Sequence, residues 1–208
     1  MEKRLYEILY ETEKHHWWYA VRRKIIRNLI NSYYSKRPIK LLDIGCGTGE
    51  LLRELSPLGE VFGIDNSPQA IAFCKERGLK NVSLAEGTSI PFPDNAFDIV
   101  LCLDVLEHIE NDDAALKEIR RVVKPGGIII IFVPTFRFLW GKSDELGHHL
   151  RRYRLKGLRE KINKNGLDVI RSSYFNFFLF IPILAVRRLV RLFKIPIQNE
   201  NETGKGWV

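Results

Sequence analysis

Cysteine is scarce in this chain. Cys46, Cys74 and Cys102 are the only three in 208 residues, an odd number with no CxxC pair. That excludes a disulfide scaffold and points to a reducing, intracellular setting. Long apolar runs are scarce as well. The unbroken apolar core Phe177–Val186 is about ten residues and contains Pro182, far short of the roughly 20 needed to span a bilayer. The opening Met1-Glu-Lys-Arg-Leu-Tyr-Glu has no apolar h-region, so no secretory signal is expected. No internal repeat is visible. With 45% hydrophobic and 28% charged residues, disorder and collagen-like repetition are excluded, and one globular domain with an appended arm fits the length.

What is present in excess is positive charge: 33 Lys and Arg against 25 Asp and Glu, a net +8 and a pI near 9.4. Such a balance invites nucleic acid, an anionic membrane or an acidic substrate. The excess is unevenly placed. Residues 1–40 carry +6, 41–150 carry −7, 151–194 carry +10 and 195–208 carry −1. The middle is therefore acidic and the flanks basic, which separates the task of the basic surface from that of the middle.

Residues 2–34 read as a helical, aromatic-rich arm, with Ile25, Ile26, Leu29 and Ile30 at helical spacing, ended by Pro38. From Ile39 onward apolar runs alternate with helical stretches, the rhythm of a parallel α/β sheet. Strands are expected at 39–44, 60–65, 82–86, 97–103 and 127–133, with helices at 49–56, 67–77 and 111–123. A basic helix is expected at 155–164, and a further strand in Leu167-Asp-Val-Ile-Arg. The domain plan is an arm or lid over 1–38, a ligand-binding domain over 39–173 with an insertion at 135–153, and an apolar-basic helix with a mobile tail over 174–208.

The densest cue is Leu41-Leu-Asp-Ile-Gly-Cys-Gly-Thr-Gly-Glu50. A strand ends at Asp43, glycines follow at 45, 47 and 49, and a helix starts. Glycine lets backbone turn sharply and approach a ligand closely, and a helix N-terminus supplies free N–H groups and a positive dipole end. Dinucleotide enzymes space these glycines as GxGxxG to hold a pyrophosphate. Here the spacing is GxGxG, with Asp43 and Glu50 beside it, so the ligand is read as one that is not polyanionic. Val61-Phe-Gly-Ile-Asp65 is a strand ending in a carboxylate suited to both ribose hydroxyls, followed by Asn66-Ser67-Pro68, a good helix start. Glu86 ends the third strand, where it can accept from an exocyclic amine, and Gly87 and Thr88 offer backbone N–H groups. Ribose, adenine and no phosphate describe a sulfonium nucleoside.

Residues 39–134 resemble class I S-adenosylmethionine-dependent methyltransferases, particularly the small-molecule branch that includes quinone-biosynthesis enzymes. The motifs that carry the resemblance are Asp-Ile-Gly-Cys-Gly-Thr-Gly, Gly-Ile-Asp65, Ile-Pro-Phe-Pro-Asp-Asn-Ala-Phe-Asp98, Val105-Leu-Glu-His108 and Lys124-Pro-Gly-Gly127. The flanks, His15-His-Trp-Trp-Tyr19 with Arg22-Arg23 and Asp144-Glu-Leu-Gly-His-His-Leu-Arg-Arg-Tyr153, resemble a subgroup associated with polysaccharide and lipid-linked sugar gene clusters. The family implies a Rossmann-like, doubly wound, mostly parallel sheet of order 3-2-1-4-5-7-6 with helices on both faces. No clear seventh strand follows Lys194. The sheet has six strands, or 174–181 serve as the seventh, or a partner supplies it.

The resemblance also implies roles. S-adenosylmethionine is the expected cofactor, with no metal. Gly45, Gly47 and Gly49 shape the turn beneath its methionyl part, Asp43 supports that part through its amino group, and Asp65 with Asn66 meets the ribose. Glu86, where the family usually has Asp, takes the adenine amine with Gly87 and Thr88, and Leu103 and Trp18 complete the cofactor side. Trp17, Asp104, His148, Arg152 and Tyr153 are expected in the acceptor pocket. His108 is the first candidate base, set against a purely structural role, and His149 is the next. The expected acceptor is a small or lipid-linked molecule methylated at oxygen.

Nucleic-acid methylation is disfavoured, because neither the Asn/Asp-Pro-Pro-aromatic nor the Pro-Cys signature is present. A non-catalytic cofactor-binding scaffold is less expected still with an intact glycine turn. The stretch 174–194 is read either as an interfacial helix on anionic lipid, at the inner face of a cytoplasmic membrane, or as a surface packed in a homodimer.

Overall fold

The structure is a computed structural model in which residues 3–175 are described. Residues up to Leu167 make one compact unit, and a second begins at Asp168. The apolar-basic stretch 174–194 and the tail lie outside the described residues apart from Tyr174 and Phe175, and the lipid and dimer readings lie there with them. No helix among the described residues is long and apolar enough to cross a membrane.

Five parallel strands form the centre: β1 (Ile39–Ile44), β2 (Gly59–Asp65), β3 (Val82–Leu84), β4 (Phe97–Leu103) and β5 (Val123–Phe132), in the order β3-β2-β1-β4-β5. The central strands β1 and β4 are buried on both faces, as alternate residues show. Leu42, Ile44, Val100 and Cys102 join one core with Ala115, Leu116 and Ile119 of α5 (Asp112–Val122). Leu41, Ile99 and Leu101 join the other. That second core is closed by Ile26 and Ile30 of α2 (Trp17–Tyr33), Leu52 and Leu55 of α3 (Glu50–Leu55) and Ile71 and Cys74 of α4 (Pro68–Glu76). This is the doubly wound arrangement, and its order reverses between β1 and β4, where ligands collect at the C-terminal strand ends.

Local chemistry sets the helix starts. Ser67 Oγ accepts the Ala70 N–H with Pro68 in the first turn, and Asn111 Oδ1 accepts the Ala114 N–H at 3.1 Å. The N-terminal arm, expected as one helix, is two: α1 (Lys3–Thr12) and α2. The chain breaks at Glu13–His16 because its polar groups are claimed from outside. Arg23 Nη1 donates to the Glu13 carbonyl at 2.5 Å, the Glu13 carboxylate is drawn to Thr48 and Arg77, and His16 Nδ1 accepts the Trp18 N–H at 3.3 Å to restart the helix.

Beyond β5 the insertion contains the short α6 (Lys142–Leu146), and the basic helix α7 (Leu155–Lys164) follows it with the expected bounds. Residues 167–171, expected as a strand, form none. Ile170 is 75% exposed, so the run has no continuous buried face to fix a register.

Candidate functional site

The glycine turn after β1 is held from below by β2, whose Ile64 carbonyl accepts the Gly45 and Cys46 N–H groups at 2.8 and 3.0 Å. Gly45, Gly47 and Gly49 all have positive φ, at 70°, 55° and 82°. A Cβ on Gly49 would come within 2.6 Å of Leu79 Cδ1 and 2.8 Å of Cys74 Sγ, so a side chain there is excluded by both strain and space. The Gly47 N–H donates to Asp65 Oδ2 and the Ser67 N–H to Asp65 Oδ1, each at 2.9 Å. Asp65 therefore links the turn to the start of α4.

Four carboxylates and one guanidinium gather above this turn. Asp43 is buried, and its Oδ1 has no hydrogen-bond partner among the described residues. Burial pushes its carboxyl up to about 8; Arg22 opposes the rise, while Asp65 and Glu13 add to it. Burial also raises Asp65, against the pull of the Gly47 and Ser67 amides. Arg22 pairs with Asp104 at 2.5 Å and lies 5.5 Å from the Phe132 ring centre. An orphaned buried acid beside a glycine cradle fits a ligand that brings its own positive charge, which a polyphosphate does not.

The expectation that Glu50 repels phosphate needs correction. Its carboxylate is buried against Arg77 at 2.5 Å and Arg53 at 2.6 Å, which neutralise it and hold it below the usual range. Asp43 and Asp65 carry that argument instead. Arg22 and Arg23, adjacent in sequence, part company. Arg22 joins the acidic group, whereas Arg23 ties α2 to Glu54 at 2.6 Å and to the Glu13 carbonyl.

The expected adenine side is more open. Glu86 and Thr88 are exposed, in a turn closed by the Ser89 N–H to the Glu86 carbonyl at 3.0 Å. Gly87 is backed by Ile109 and Ile44, and Asn66 is exposed beside Asp65. Leu103 ends β4. Trp17 and Trp18 pack edge to face at the start of α2, with centroids 5.9 Å apart. Burial raises the pKa of the Tyr19 hydroxyl; Glu13 and Asp104 add to the rise and Arg22 opposes it.

On the far side of β4, Asp104 takes a positive φ of 56° and the chain tightens into the Leu106–His108 turn. This brings His108 against His149, with ring centroids 4.8 Å apart and interplanar angle 78°. Burial, then His149, depress the His108 pKa, while a hydrogen bond to the His148 backbone opposes them. Glu107 lies fully buried beneath, and burial and Asp104 push it up to about 8. His148, at φ 55°, contributes its backbone here.

Arg152 and Tyr153, expected in the acceptor pocket, spend their polar groups on buried acids. Arg152 is a half-buried clamp on Asp144, at 2.7 and 2.9 Å, and on the Thr135 carbonyl at 2.9 Å. Asp144 in turn holds His149 Nδ1 at 2.9 Å. The Tyr153 hydroxyl donates to Asp112 Oδ2 at 2.7 Å inside the core. Tyr153→Phe is accordingly expected to lower stability by about 1.5–3 kcal/mol, the worth of a hydrogen bond to a charged group, without altering the acceptor KM. Calorimetric melting and steady-state kinetics check the two halves.

The sequence reading missed α1 as part of the site. Tyr6 lies against Asp65 and Ser67, Leu9 is the nearest atom source above Gly47, and Tyr10 stacks on Phe73 at 4.6 Å. Arg77 lies beneath, 4.1 Å from the Tyr10 ring centre. An amphipathic helix was legible; its landing place was not. Cys46 and Cys74 face each other in the core, Sγ to Sγ 3.8 Å, and the mutual contact and burial raise the Cys46 thiol, as expected of packing rather than reactive cysteines.

This fold and this acid-lined glycine turn are similar to those of the class I S-adenosylmethionine-dependent methyltransferases, and the match lies in the middle of the chain. Residues 42–131 match the family model described as a methyltransferase domain. The chain is 38% identical over 126 residues to the ubiquinone/menaquinone biosynthesis C-methyltransferase UbiE of Neisseria meningitidis, covering 55% of this chain and 51% of the relative. It resembles the crystal structure of the YcgJ protein of Bacillus subtilis with a TM-score of 0.56 and 26% identity, over 67% and 66% of the two chains. It also resembles the [4+2]-cyclase SpnF, with a TM-score of 0.61 and 28% identity over 72% and 58%. The chain spans about half the length of the curated relatives it matches.

Proposed function

We propose that this chain transfers a methyl group from S-adenosylmethionine to a hydroxyl oxygen of a small or lipid-linked acceptor held at the C-terminal end of β4. The observation that carries the reading is the buried, unpartnered Asp43 oxygen over the glycine turn, a place for the cofactor's ammonium group. Asp65 with Asn66 takes the ribose, Glu86 with Gly87 and Thr88 the adenine, and Arg22 the methionyl carboxylate. Leu103 borders the reacting side, and Trp18 belongs to the covering helix. When bound, S-adenosylmethionine supplies an electrophilic methyl on a good leaving group, so the chain's task is mainly alignment and proton removal.

His108 and His149 serve the second task. The depressed pKa leaves His108 unprotonated near neutrality, so a ring nitrogen can accept a hydrogen bond from the acceptor hydroxyl. Asp104 and Arg22, paired across the mouth, border the path between cofactor and acceptor, with Trp17 on the same covering helix. The basic residues near 151–194 suit an anionic acceptor or surface.

Transfer to a ring carbon is the second reading, favoured by the 38% identity to a quinone C-methyltransferase. It too begins by removing a hydroxyl proton. Calorimetry with S-adenosylmethionine tests the cofactor, and absence of binding would overturn the reading. Turnover of the 13C-methyl cofactor in a cell extract, followed by NMR of the product, separates O-methyl from C-methyl; label found on nucleic acid would overturn both. His108→Asn is expected to lower kcat about 10²–10⁴-fold, with cofactor affinity unchanged.

A further inference from the structure

We propose that Glu107, His108 and His149 bind one divalent cation of the first transition row, of the Zn²⁺, Fe²⁺ or Co²⁺ kind, which holds the acceptor oxygen. The role in transfer rests on the methyltransferase reading; the binding itself does not. The sequence reading expects no metal, because the three ligands come from two segments more than forty residues apart and have no motif spacing. Folding brings one ligand atom of each within 4.8 Å of the others.

Three independent features point to an ion. First, Glu107 is fully buried and both its carboxylate oxygens lack a hydrogen-bond partner among the described residues. A buried carboxyl left so is costly unless a cation or donor meets it. The two guanidiniums whose charge reaches it are occupied elsewhere: Arg22 pairs with Asp104 at 2.5 Å, and Arg152 grips Asp144 at 2.7 Å.

Second, each imidazole has one nitrogen already fixed. His149 Nδ1 is held by Asp144 at 2.9 Å, and the His108 ring is held by the His148 backbone. Metal-bound histidines are oriented in this way, by a carboxylate or a carbonyl on the second nitrogen. Asp144 is itself anchored by Arg152 and by the Gly141 N–H at 2.8 Å, so the support is rigid. Third, the cluster opens on one side. Glu107 forms its floor, His149 is 19% exposed at the side chain and His108 is exposed. An ion there keeps coordination positions for an acceptor oxygen.

Two imidazoles and one carboxylate suit borderline transition ions, whereas Mg²⁺ and Ca²⁺ prefer oxygen alone. Bonds of about 2.0–2.2 Å require the donors to draw in around the ion. With the ion bound, the free imidazole lone pairs are used; the acceptor hydroxyl meets the cation in place of His108, and the ion's charge lets its proton pass to water.

The test uses the full chain after dialysis against a chelator, titrated with Co²⁺ and followed by absorption and calorimetry. One Co²⁺ per chain is expected, with the ligand-field bands of nitrogen and oxygen donors and no thiolate charge-transfer band. Affinity should fall at least tenfold in Glu107→Gln and in His149→Gln. Zn²⁺ should raise the melting temperature of the parent chain and not that of Glu107→Gln. Glu107→Gln preserves shape and removes a desolvated acid, so its metal-free melting temperature should not fall; His149→Gln provides a second reading if it does. No Co²⁺ binding at millimolar concentration, or equal binding by both variants, would overturn the proposal. Parallel calorimetry with S-adenosylmethionine keeps the failures apart: cofactor bound without Co²⁺ sinks only the metal site, and Co²⁺ bound without cofactor sinks only the methyltransferase reading.

Discussion

Arg77→Met is expected to destabilise the domain by about 3–5 kcal/mol, the cost of removing one partner from a buried ion-pair network. The Arg77 side chain is 2% exposed and spends its donors in four directions. It pairs with Glu50 at 2.5 Å and Glu13 at 2.7 Å, and donates to the Thr48 carbonyl at 2.7 Å and the Tyr10 carbonyl at 3.0 Å. Methionine fills much the same volume and leaves Glu13 buried with a hydroxyl as its remaining side-chain donor. Glu50 suffers less, because Arg53 still grips it. Since Leu9 of α1 covers Gly47, the same substitution should loosen the cofactor turn and expose the 13–16 connection to proteolysis. Arg77→Lys should recover only part of the loss, because a point charge cannot serve four acceptors at fixed angles. Denaturant melts of the three proteins check this; a loss under about 1 kcal/mol for the methionine variant would contradict the network's role.

Asp43→Asn is expected to weaken S-adenosylmethionine binding by about 2–5 kcal/mol, the usual penalty for truncating one side of a buried charged contact, while making the cofactor-free domain more stable. The opposite signs follow from one cause. The Asp43 carboxyl is desolvated and lacks a partner at one oxygen, so it holds a proton up to about pH 8 in the fold. The unfolded chain releases that proton at an ordinary carboxyl pKa near 4. Between those limits the folded state binds more protons than the unfolded, and this group's linkage lowers stability as pH rises. Asparagine removes that slope. Cofactor affinity in the parent should climb from about pH 6 toward 8 as Asp43 ionises against the ammonium, then decline as an α-amino group of pKa about 7.7–8.0 loses its charge. The variant should lack the climb. Calorimetric titrations across this range, with melting curves of the free protein, check both signs.

Much of the glycine turn was legible because its determinants are local. The glycines at 45, 47 and 49 adopt positive φ, and the acids at 43 and 65 stand at strand ends, where a parallel sheet must gather them. Strands 39–44 and 97–103 were readable to the residue because apolar runs buried on both faces leave little choice. The 144–153 segment was not legible in the same way. Arg152 and Tyr153 look like ligands for an anion or an aromatic, yet each faces a buried acid from elsewhere, Asp144 and Asp112. Glu50 looked like a guard against phosphate until Arg77, 27 residues away, was found on it.

By itself the sequence determined the doubly wound sheet, the glycine turn and the acids at the strand ends, because periodicity, backbone freedom and strand-end carboxylates act over a few residues. Only the tertiary structure decided which charges remain free. It neutralised Glu50 with Arg77, left Asp43 and Glu107 with unpartnered buried oxygens, separated Arg22 from Arg23 and brought His149 to His108. Pairing and desolvation depend on neighbours distant in the chain, and burial gives an unpaired carboxyl its chemical force.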